Sequence, residues 1–352
     1  MAKYFSNIVL EPENIRSLRD ALIKKLVEDE NFRNAVSIKK VRNGEPLAIL
    51  GEMDAVGKAG AGCSPTFEQA GIGSAQQRWE LGDWQIAQAI CYENLEETIA
   101  EYCLKSGTEI GDVTGTDFMA VYLELLETQL KRMVWRLAWF GDTAADTIAN
   151  GGVLTNGTDP DLFKVCDGLF KELFAIGTGN PNQLTAISAN SQTTYATQKS
   201  TMLAAGYATS LVDQILIDAN GMINANGEAV LMMNKKFADA LAHDIKVTYK
   251  TTLPFERIFD GFYVAEYSGV KIASIATWDY IIDTFENTGT AWNLPYRAVL
   301  ATPKNLLVGC DANDPVSDLD IWFNKDERQV KVYAAGKMDT MVGIPELVHV
   351  AY

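Results

Sequence analysis

The feature that most constrains this chain is one very long helical pattern, which occupies residues 116–149 (TDFMAVYLELLETQLKRMVWRLAWFGDTAADTIA). Thr116 or Asp117 is suited to cap its start, and apolar residues recur at helical spacing at Tyr122, Leu126, Met133 and Leu137. At 1.5 Å per residue such a helix would run about 50 Å. Its apolar face is wide, because it also includes Trp135, Trp139 and Phe140. We therefore expect this helix to be the backbone of the fold, with a sheet covering one side.

The segment before the long helix combines an amphipathic stretch with an excursion of two strands. Residues 13–35 place Ile15, Leu18, Leu22 and Leu26 on one helical face. A strand is predicted at 45–50, and residues 51–77 are rich in glycine and alanine without periodicity. Strand-like alternation returns over 78–95. The pattern predicts a long two-stranded excursion with a flexible tip, and loops of this length are uncommon unless they bind something.

The segment after the long helix alternates helices and strands. A turn-rich linker at 149–160 is the best candidate for a domain boundary. A helix is predicted over 161–177, with Gly177 past its end, and a buried strand EAVLMMN is predicted to end at Asn234, which can cap the next helix. Residues 262–276 read as a hairpin that turns at Ser268 and Gly269. The last strands, 319–352, are predicted to complete a sheet against the long helix.

Length, charge and cysteine usage narrow the class of protein. A chain of 352 residues favours two domains or one discontinuous pair. The net charge of -16 argues against tight binding to nucleic acid or to anionic membranes. No signal peptide and no membrane-spanning stretch is expected. The five cysteines show no CxxC spacing and fit reduced thiols in a cytoplasmic setting: Cys63, Cys91, Cys103, Cys166 and Cys310.

Searches for catalytic or metal-binding patterns give no candidate residues. The two histidines, His243 and His349, cannot build a zinc site or a catalytic triad, and each is expected to be a surface or core side chain. The nearest phosphate-loop pattern, GEMDAVGKA, has one residue too many between its glycines and an alanine at Ala59 in place of serine or threonine. The acidic run at 310–320 lacks the central glycine and the bidentate glutamate of a calcium loop. We predict no catalytic, cofactor-binding or metal-binding residue.

The order of these elements resembles the major capsid proteins of tailed bacteriophages with the Hong Kong 97 fold. Local phrases are also similar, among them DWQIAQAICYENLEET, RLAWFGDTAA, EAVLMMNKKFADAL and LPYRAVLATPKNLLVGCD. The resemblance implies an α+β chain. Residues 1–44 would form an N-arm, 45–90 an extended loop, 91–150 a peripheral domain with a spine helix, 151–295 an axial α/β domain, and 296–352 the closing strands of the peripheral domain.

The resemblance implies a non-enzymatic subunit that assembles into an icosahedral shell around double-stranded DNA. Its partners would be identical subunits in hexamers and pentamers, together with portal and scaffolding or decoration proteins, and no cofactor or membrane is expected. The shell would assemble in the bacterial cytoplasm and end in the virion. No scaffolding segment is expected before the N-terminal helix, and Lys58 matches no crosslinking motif. Two alternatives are an encapsulin-like nanocompartment shell and, less favoured, an acidic α/β hydrolase.

Overall fold

A computed structural model describes residues 30–53, 72–91, 117–145, 148–149, 152–225, 227–259, 262–312, 318–324, 327 and 329–352. Most of the predicted N-terminal helix, the tip of the excursion and the start of the peripheral segment lie outside the described residues. The described part contains these α-helices: α1 (Glu30–Ala35), α2 (Asp117–Phe140), α3 (Leu169–Gly179), α4 (Tyr195–Met202), α5 (Tyr207–Asp218), α6 (Lys235–Tyr249) and α7 (Ala276–Phe285).

The strands form two larger sheets and two isolated pairs. Their bounds are β1 (Ser37–Lys40), β2 (Pro46–Met53), β3 (Ile72–Arg78), β4 (Gly82–Cys91), β5 (Ile148–Ala149), β6 (Gly152–Val153), β7 (Leu184–Thr185), β8 (Val230–Asn234), β9 (Glu256–Phe259), β10 (Phe262–Tyr267), β11 (Val270–Ile275), β12 (Ala298–Ala301), β13 (Leu306–Cys310), β14 (Asp318–Asn324), β15 (Gln329–Val342) and β16 (Val348–Ala351). One sheet has the order β1-β13-β15-β14 with β4 also paired to β15, and the other has the order β7-β16-β12-β8-β11-β10-β9. The pairs β2-β3 and β5-β6 stand alone.

The long helix is confirmed but ends earlier than predicted. Helix α2 has 24 residues, which corresponds to about 36 Å. It stops because the backbone N–H of Asp142 donates to the carbonyl of Phe163, while the Asp142 carboxylate accepts from the N–H of Ala144 and closes a turn. Both interactions take the chain out of helical geometry. No helix among those the structure describes is long and apolar enough to cross a membrane.

The seven-stranded sheet is covered by helices on both faces. Along β8, Met232 packs into a core shared with α2, α3 and α7, whereas Leu231 and Met233 pack into a second core with α5 and α6. Alternate side chains therefore serve opposite faces, as the period of a strand requires. The same first core continues to β13 and β15 through Val308 and Val332, so it connects both larger sheets to the long helix.

The closing segment divides between the two sheets, which corrects the prediction that it completes one sheet. Strands β13, β14 and β15 lie in the five-stranded sheet, but β12 and β16 pair with each other inside the seven-stranded sheet. All four residues of β16 are buried, and a strand buried on both faces needs a sheet that is covered on both sides. The seven-stranded sheet, with helices on both faces, provides that environment.

Three local predictions also change. Strand β4 was expected in the excursion but pairs with β15 along residues 82–91, so the excursion is the hairpin β2-β3 alone. Residues 37–40, which fall in the segment expected to form the N-arm, form strand β1 and pair in parallel with β13. Gly177 lies inside α3 rather than beyond its end. Glycine fits there because a Cβ would come within 2.8 Å of Val350 Cγ1 on β16, so the residue serves close packing and not the end of the helix. The predicted turn at Ser268 and Gly269 is confirmed, and both residues have positive φ, 49° and 78°.

Asn234 precedes α6 as predicted but does not cap it. Its side-chain amide donates to Asp279 Oδ1 at 2.6 Å and to the carbonyl of Pro295 at 2.9 Å, and its oxygen accepts from the N–H of Arg297. The cap comes from α7 instead, since Asp279 Oδ2 accepts from the N–H of Lys236 at 3.0 Å. Asn234 therefore ties three segments together.

A fully buried ion pair joins the helices to the seven-stranded sheet. The guanidinium of Arg297, just before β12, donates to the Glu286 carboxylate at the end of α7, and both side chains have 0% exposure. Arg297 also donates to the carbonyls of Leu294 and Asn293. Its guanidinium carbon lies 5.0 to 5.6 Å from the ring centroids of Phe140, Phe170 and Phe174. The aromatic rings thus contact the guanidinium by cation–π interaction, and oxygen atoms accept hydrogen bonds from its edge.

Candidate functional site

The hairpin β2-β3 stands apart from the two larger sheets of the described chain. Its strands pair from Pro46 with Arg78 to Met53 with Ile72, with an irregularity between Leu50 and Met53. It belongs to neither larger sheet. A two-stranded hairpin alone is marginally stable in water, so its direction depends on how its base is held and on what packs against it.

Backbone hydrogen bonds close the base of the hairpin, which we call the hairpin root (residues 42–45 and 79–81). The N–H of Gly44 donates to the carbonyl of Trp79 at 2.8 Å, and the N–H of Trp79 donates to the carbonyl of Glu45 at 3.1 Å. The N–H of Leu81 donates to Asn43 Oδ1 at 3.1 Å. Gly44 has φ 77°, a conformation that favours glycine, and thereby turns the chain into β2.

Trp79 anchors the hairpin root in a small core of its own. Its side chain is 1% exposed and packs with Val41, Leu307 and Met341 against the five-stranded sheet. The indole lies over Gly309, where a Cβ would come within 2.6 Å of two ring atoms and within 2.7 Å of Val41 Cγ2. Gly309 is therefore the surface on which the tryptophan rests. The sequence offered a weak signal for this contact, a glycine inside the apolar strand NLLVGCD, which often marks close approach of another group.

A carboxylate on β15 holds the other side of the hairpin root. Asp339 Oδ2 accepts from the N–H of Glu80 at 2.8 Å, and Oδ1 accepts from the N–H of Thr340 at 2.9 Å. The Thr340 hydroxyl donates to the carbonyl of Asp167 at 2.6 Å, which links the strand to the turn before α3. The hairpin root is thus connected through Asp339 to the base of α3.

Further acidic groups surround this connection. Lys171 Nζ donates to Asp142 Oδ1 at 2.7 Å and to Asp167 Oδ1 at 2.8 Å. Glu172, the next residue on α3, accepts from the N–H of Val342 at 2.7 Å. This carboxylate cluster, defined by Asp142, Asp167, Glu172 and Asp339, therefore ties the end of α2, the start of α3 and β15 together.

Two carboxyl groups in the cluster have raised pKa values. Burial raises the pKa of Glu172 to about 7, and the charges of Asp339 and Asp167 act in the same direction against the hydrogen bond from Val342. Burial also raises the pKa of Asp339 to about 6, again with contributions from nearby acidic groups. Because burial disfavours the charged carboxylates, the junction weakens as these groups ionise with rising pH. Sequence reasoning missed them, since each acid is unremarkable until folding brings the segments together.

The histidines and the described cysteines, which are the residue types that catalytic and metal sites use most, do not lie together in one site. His243 is exposed on α6, whereas His349 is buried in β16 with its Nε2 2.8 Å from Thr185 Oγ1. Cys166 and Cys310 are buried free thiols, and burial raises the pKa of Cys166 well above its ordinary value, which keeps it protonated. Among the described residues, no group of histidine, cysteine, aspartate and glutamate side chains is arranged to hold a metal ion. Lys58 and residues 313–317 of the acidic run lie outside the described residues.

Comparison with solved structures gives the fold its relatives. No protein-family model and no curated protein matches the sequence. A chain from Mycobacterium phage Ogopogo matches with a TM-score of 0.53 and 11% identity, covering 91% of this chain and 90% of that chain. A chain from the satellite phage P4 procapsid including size determination (Sid) protein matches with a TM-score of 0.50 and 11% identity, covering 95% and 98%. A chain from Gordonia phage Cozz matches with a TM-score of 0.50 and 13% identity, covering 91% and 85%.

These similarities extend over nearly the whole of each chain. The protein therefore has the α+β Hong Kong 97-like fold of phage capsid proteins, as the order of its sequence elements predicted. At identities this low the likeness establishes the fold, and the function requires its own argument.

Substituting Gly309 tests the anchoring of Trp79. Gly309→Ala should lower the free energy of unfolding of unassembled subunits by about 2 to 3 kcal/mol, because the new Cβ overlaps the indole and the core must shift. Urea titration followed by tryptophan fluorescence measures the change. Gly179→Ala is the matched control, since a Cβ there meets nothing within 4 Å, and it should change stability by less than about 0.5 kcal/mol. Equal effects of the two substitutions would contradict the anchoring role.

Glu172 should make subunit stability fall as pH rises. Because its folded pKa of about 7 lies above the ordinary glutamate value of 4.5, its protonated form stabilises the fold at pH 5, and that contribution is lost as pH rises through 7. Between pH 5 and 8, Glu172→Gln should lose roughly 2 kcal/mol less unfolding free energy than the unmodified chain. Urea unfolding at both pH values measures this. The exposed Glu346→Gln is the control, and parallel pH profiles for all three proteins would contradict the prediction.

Proposed function

We propose that this chain is the repeating structural subunit of the icosahedral shell of a tailed double-stranded DNA bacteriophage. The observation that carries the proposal is a hairpin that belongs to neither larger sheet, anchored at one end on a Hong Kong 97-like fold. The coarser conclusion, a capsid shell protein, is supported by the fold relatives.

The geometry of the hairpin root supports a role between subunits. A shell built by repetition needs heterologous contacts, in which one subunit places a segment on a different surface of its neighbour. A hairpin held at its base by Trp79 and Asp339 has a defined direction. Because it belongs to neither larger sheet, its strands leave backbone edges for a neighbour to cover. In this proposal the wrapping elements are the hairpin and the part of the N-arm that precedes α1, since β1 pairs within the five-stranded sheet. Residues 151–295 form the axial domain, and the long helix forms the spine of the peripheral domain.

The partners follow from the same proposal. Identical subunits would form hexamers and pentamers, and portal, scaffolding or decoration proteins would complete the particle within the bacterial host. The net charge of -16 supports loose enclosure of double-stranded DNA, because an acidic wall repels phosphates and lets the polymer slide. A nanocompartment shell of the encapsulin type has the same structural requirements, and the contents of the particles distinguish the two: nuclease-protected DNA of uniform length for a phage, an enclosed enzyme for a compartment.

Removing the hairpin without disturbing its root tests the proposal. Residues 46–78 can be replaced by Asn-Gly, because the N–H of Trp79 already bonds to the carbonyl of Glu45, as the ends of a two-residue type I′ turn require. The variant should unfold at nearly the same urea concentration as the unmodified subunit but should fail to form particles. Sedimentation velocity measures assembly, and urea titration measures folding.

The exposed side chain of Lys246 on α6 provides a control, and Lys246→Ala should assemble like the unmodified chain. If the hairpin-replaced variant still forms particles of the normal size, the hairpin is not the element that joins subunits. If it no longer folds, Gly309→Ala, which loosens the hairpin root while keeping the hairpin, takes its place in the assembly assay. Normal particle yield from that variant would then contradict the proposal.

A further inference from the structure

A line of basic and apolar side chains follows the outer side of α2 and reaches α7. Leu125, Arg132 and Arg136 lie on one side of the helix, since they are seven and four residues apart. Leu125 is 62% exposed. Next to Arg132 lies Tyr280 of α7, which is 38% exposed, and next to Arg136 lies Leu162, which is 37% exposed. We call these five residues the arginine stripe; its helical part is about 16 Å long.

The two arginines are fixed in place by aromatic and backbone contacts. The guanidinium carbon of Arg132 lies 4.2 Å from the ring centroid of Tyr280. That of Arg136 lies 5.7 Å from the ring of Phe163 and 5.5 Å from that of Phe285, and its Nε donates to the carbonyl of Leu162 at 3.2 Å. Stacking occupies the faces of a guanidinium and leaves donors at its edge. Both groups are therefore oriented in advance, which lowers the entropy cost of binding an oxygen ligand.

Neither arginine forms an ion pair with a carboxylate in the part of the chain that the structure describes. Lys131, their neighbour on α2, does so with Glu127, and Lys236 does so with Asp283 near the far end of α7. The chain has 46 acidic and 30 basic residues, so an acidic partner would be easy to supply. The two arginines have no carboxylate partner among the described residues, and three exposed apolar side chains lie beside them. Such a surface is complementary to a ligand that is both acidic and apolar.

We propose that the arginine stripe binds an amphipathic helix of a partner protein whose interacting face carries carboxylates and leucine-like side chains. Carboxylates four residues apart on a helix match the spacing of Arg132 and Arg136, and an apolar side chain two turns away matches Leu125. Exposed leucines and a tyrosine disfavour a nucleic-acid backbone, which offers charge but no apolar contact. The inference rests on the proposed shell function, to which it adds the chemistry of a second component.

A synthetic helix tests the binding directly. The probe is a fluorescently labelled peptide of about 18 residues with glutamates four residues apart and leucines on the same face. The comparison peptide replaces those glutamates with glutamines. Anisotropy is measured with the full chain kept below its assembly concentration. The acidic peptide should bind saturably, and Arg132→Gln and Leu125→Ser should each weaken binding by about tenfold. Lys246→Gln, a charge change on the exposed side of α6, should leave binding unchanged.

The outcomes separate this proposal from the shell function. Equal binding of the two peptides, or variants that bind like the unmodified chain, would overturn the proposal. Stronger Arg132-dependent binding of a DNA duplex would overturn it in favour of nucleic acid, and Arg132-dependent self-association without peptide binding would overturn it in favour of a second copy. Particle formation is scored separately, so a shell that assembles without peptide binding leaves only the arginine stripe in error. Binding without any shell places the error in the proposed function.

Discussion

The buried pair of Arg297 and Glu286 is the interaction on which the rest of the structure depends. It brings together the end of α2, the first turns of α3, the end of α7 and the start of β12, because Arg297 contacts Phe140, Phe170, Phe174 and Glu286 at once. Removing one partner of such a pair leaves an uncompensated charge at a cost of about 3 to 5 kcal/mol, so the pair favours one arrangement of these elements. Burial lowers the pKa of Arg297 while Glu286 acts to raise it.

A single arrangement of the elements around this ion pair matters because the hairpin, the proposed assembly element, is attached to them. The hairpin meets that body at Trp79 and Asp339, and Asp339 connects through Thr340 and Asp167 to α3, which packs under the ion pair. The direction of the hairpin is thus set by the same network that positions the long helix. Burial raises the pKa values of Glu172 and Asp339, so ionising these carboxylates destabilises the attachment of the hairpin. The junction is tight in packing and sensitive to charge.

The sequence predicted the individual helices and strands better than it predicted which of them pair or pack together. The long helix, the first strand of the hairpin, the strand that ends at Asn234 and the turn at Ser268 follow from local periodicity and turn chemistry. The destination of β16, the pairing of β4 and the true cap of α6 depend on contacts between residues far apart in the chain. Asp279 caps α6 from 43 residues away, and Glu80 bonds to Asp339 across 259 residues. No local pattern carries that information, which is also why the hairpin root was not predicted.

The measurement that tests the central claim most directly is electron microscopy of the purified, full-length chain in negative stain. The account predicts closed shells, tubes, or rings of six and five subunits, because a subunit with a Hong Kong 97-like fold and an anchored hairpin buries that hairpin only against other copies. A homogeneous monomer at high concentration, with no particles after changes in pH and salt, would contradict it. In that case the hairpin would need another partner, and the shell function would be wrong.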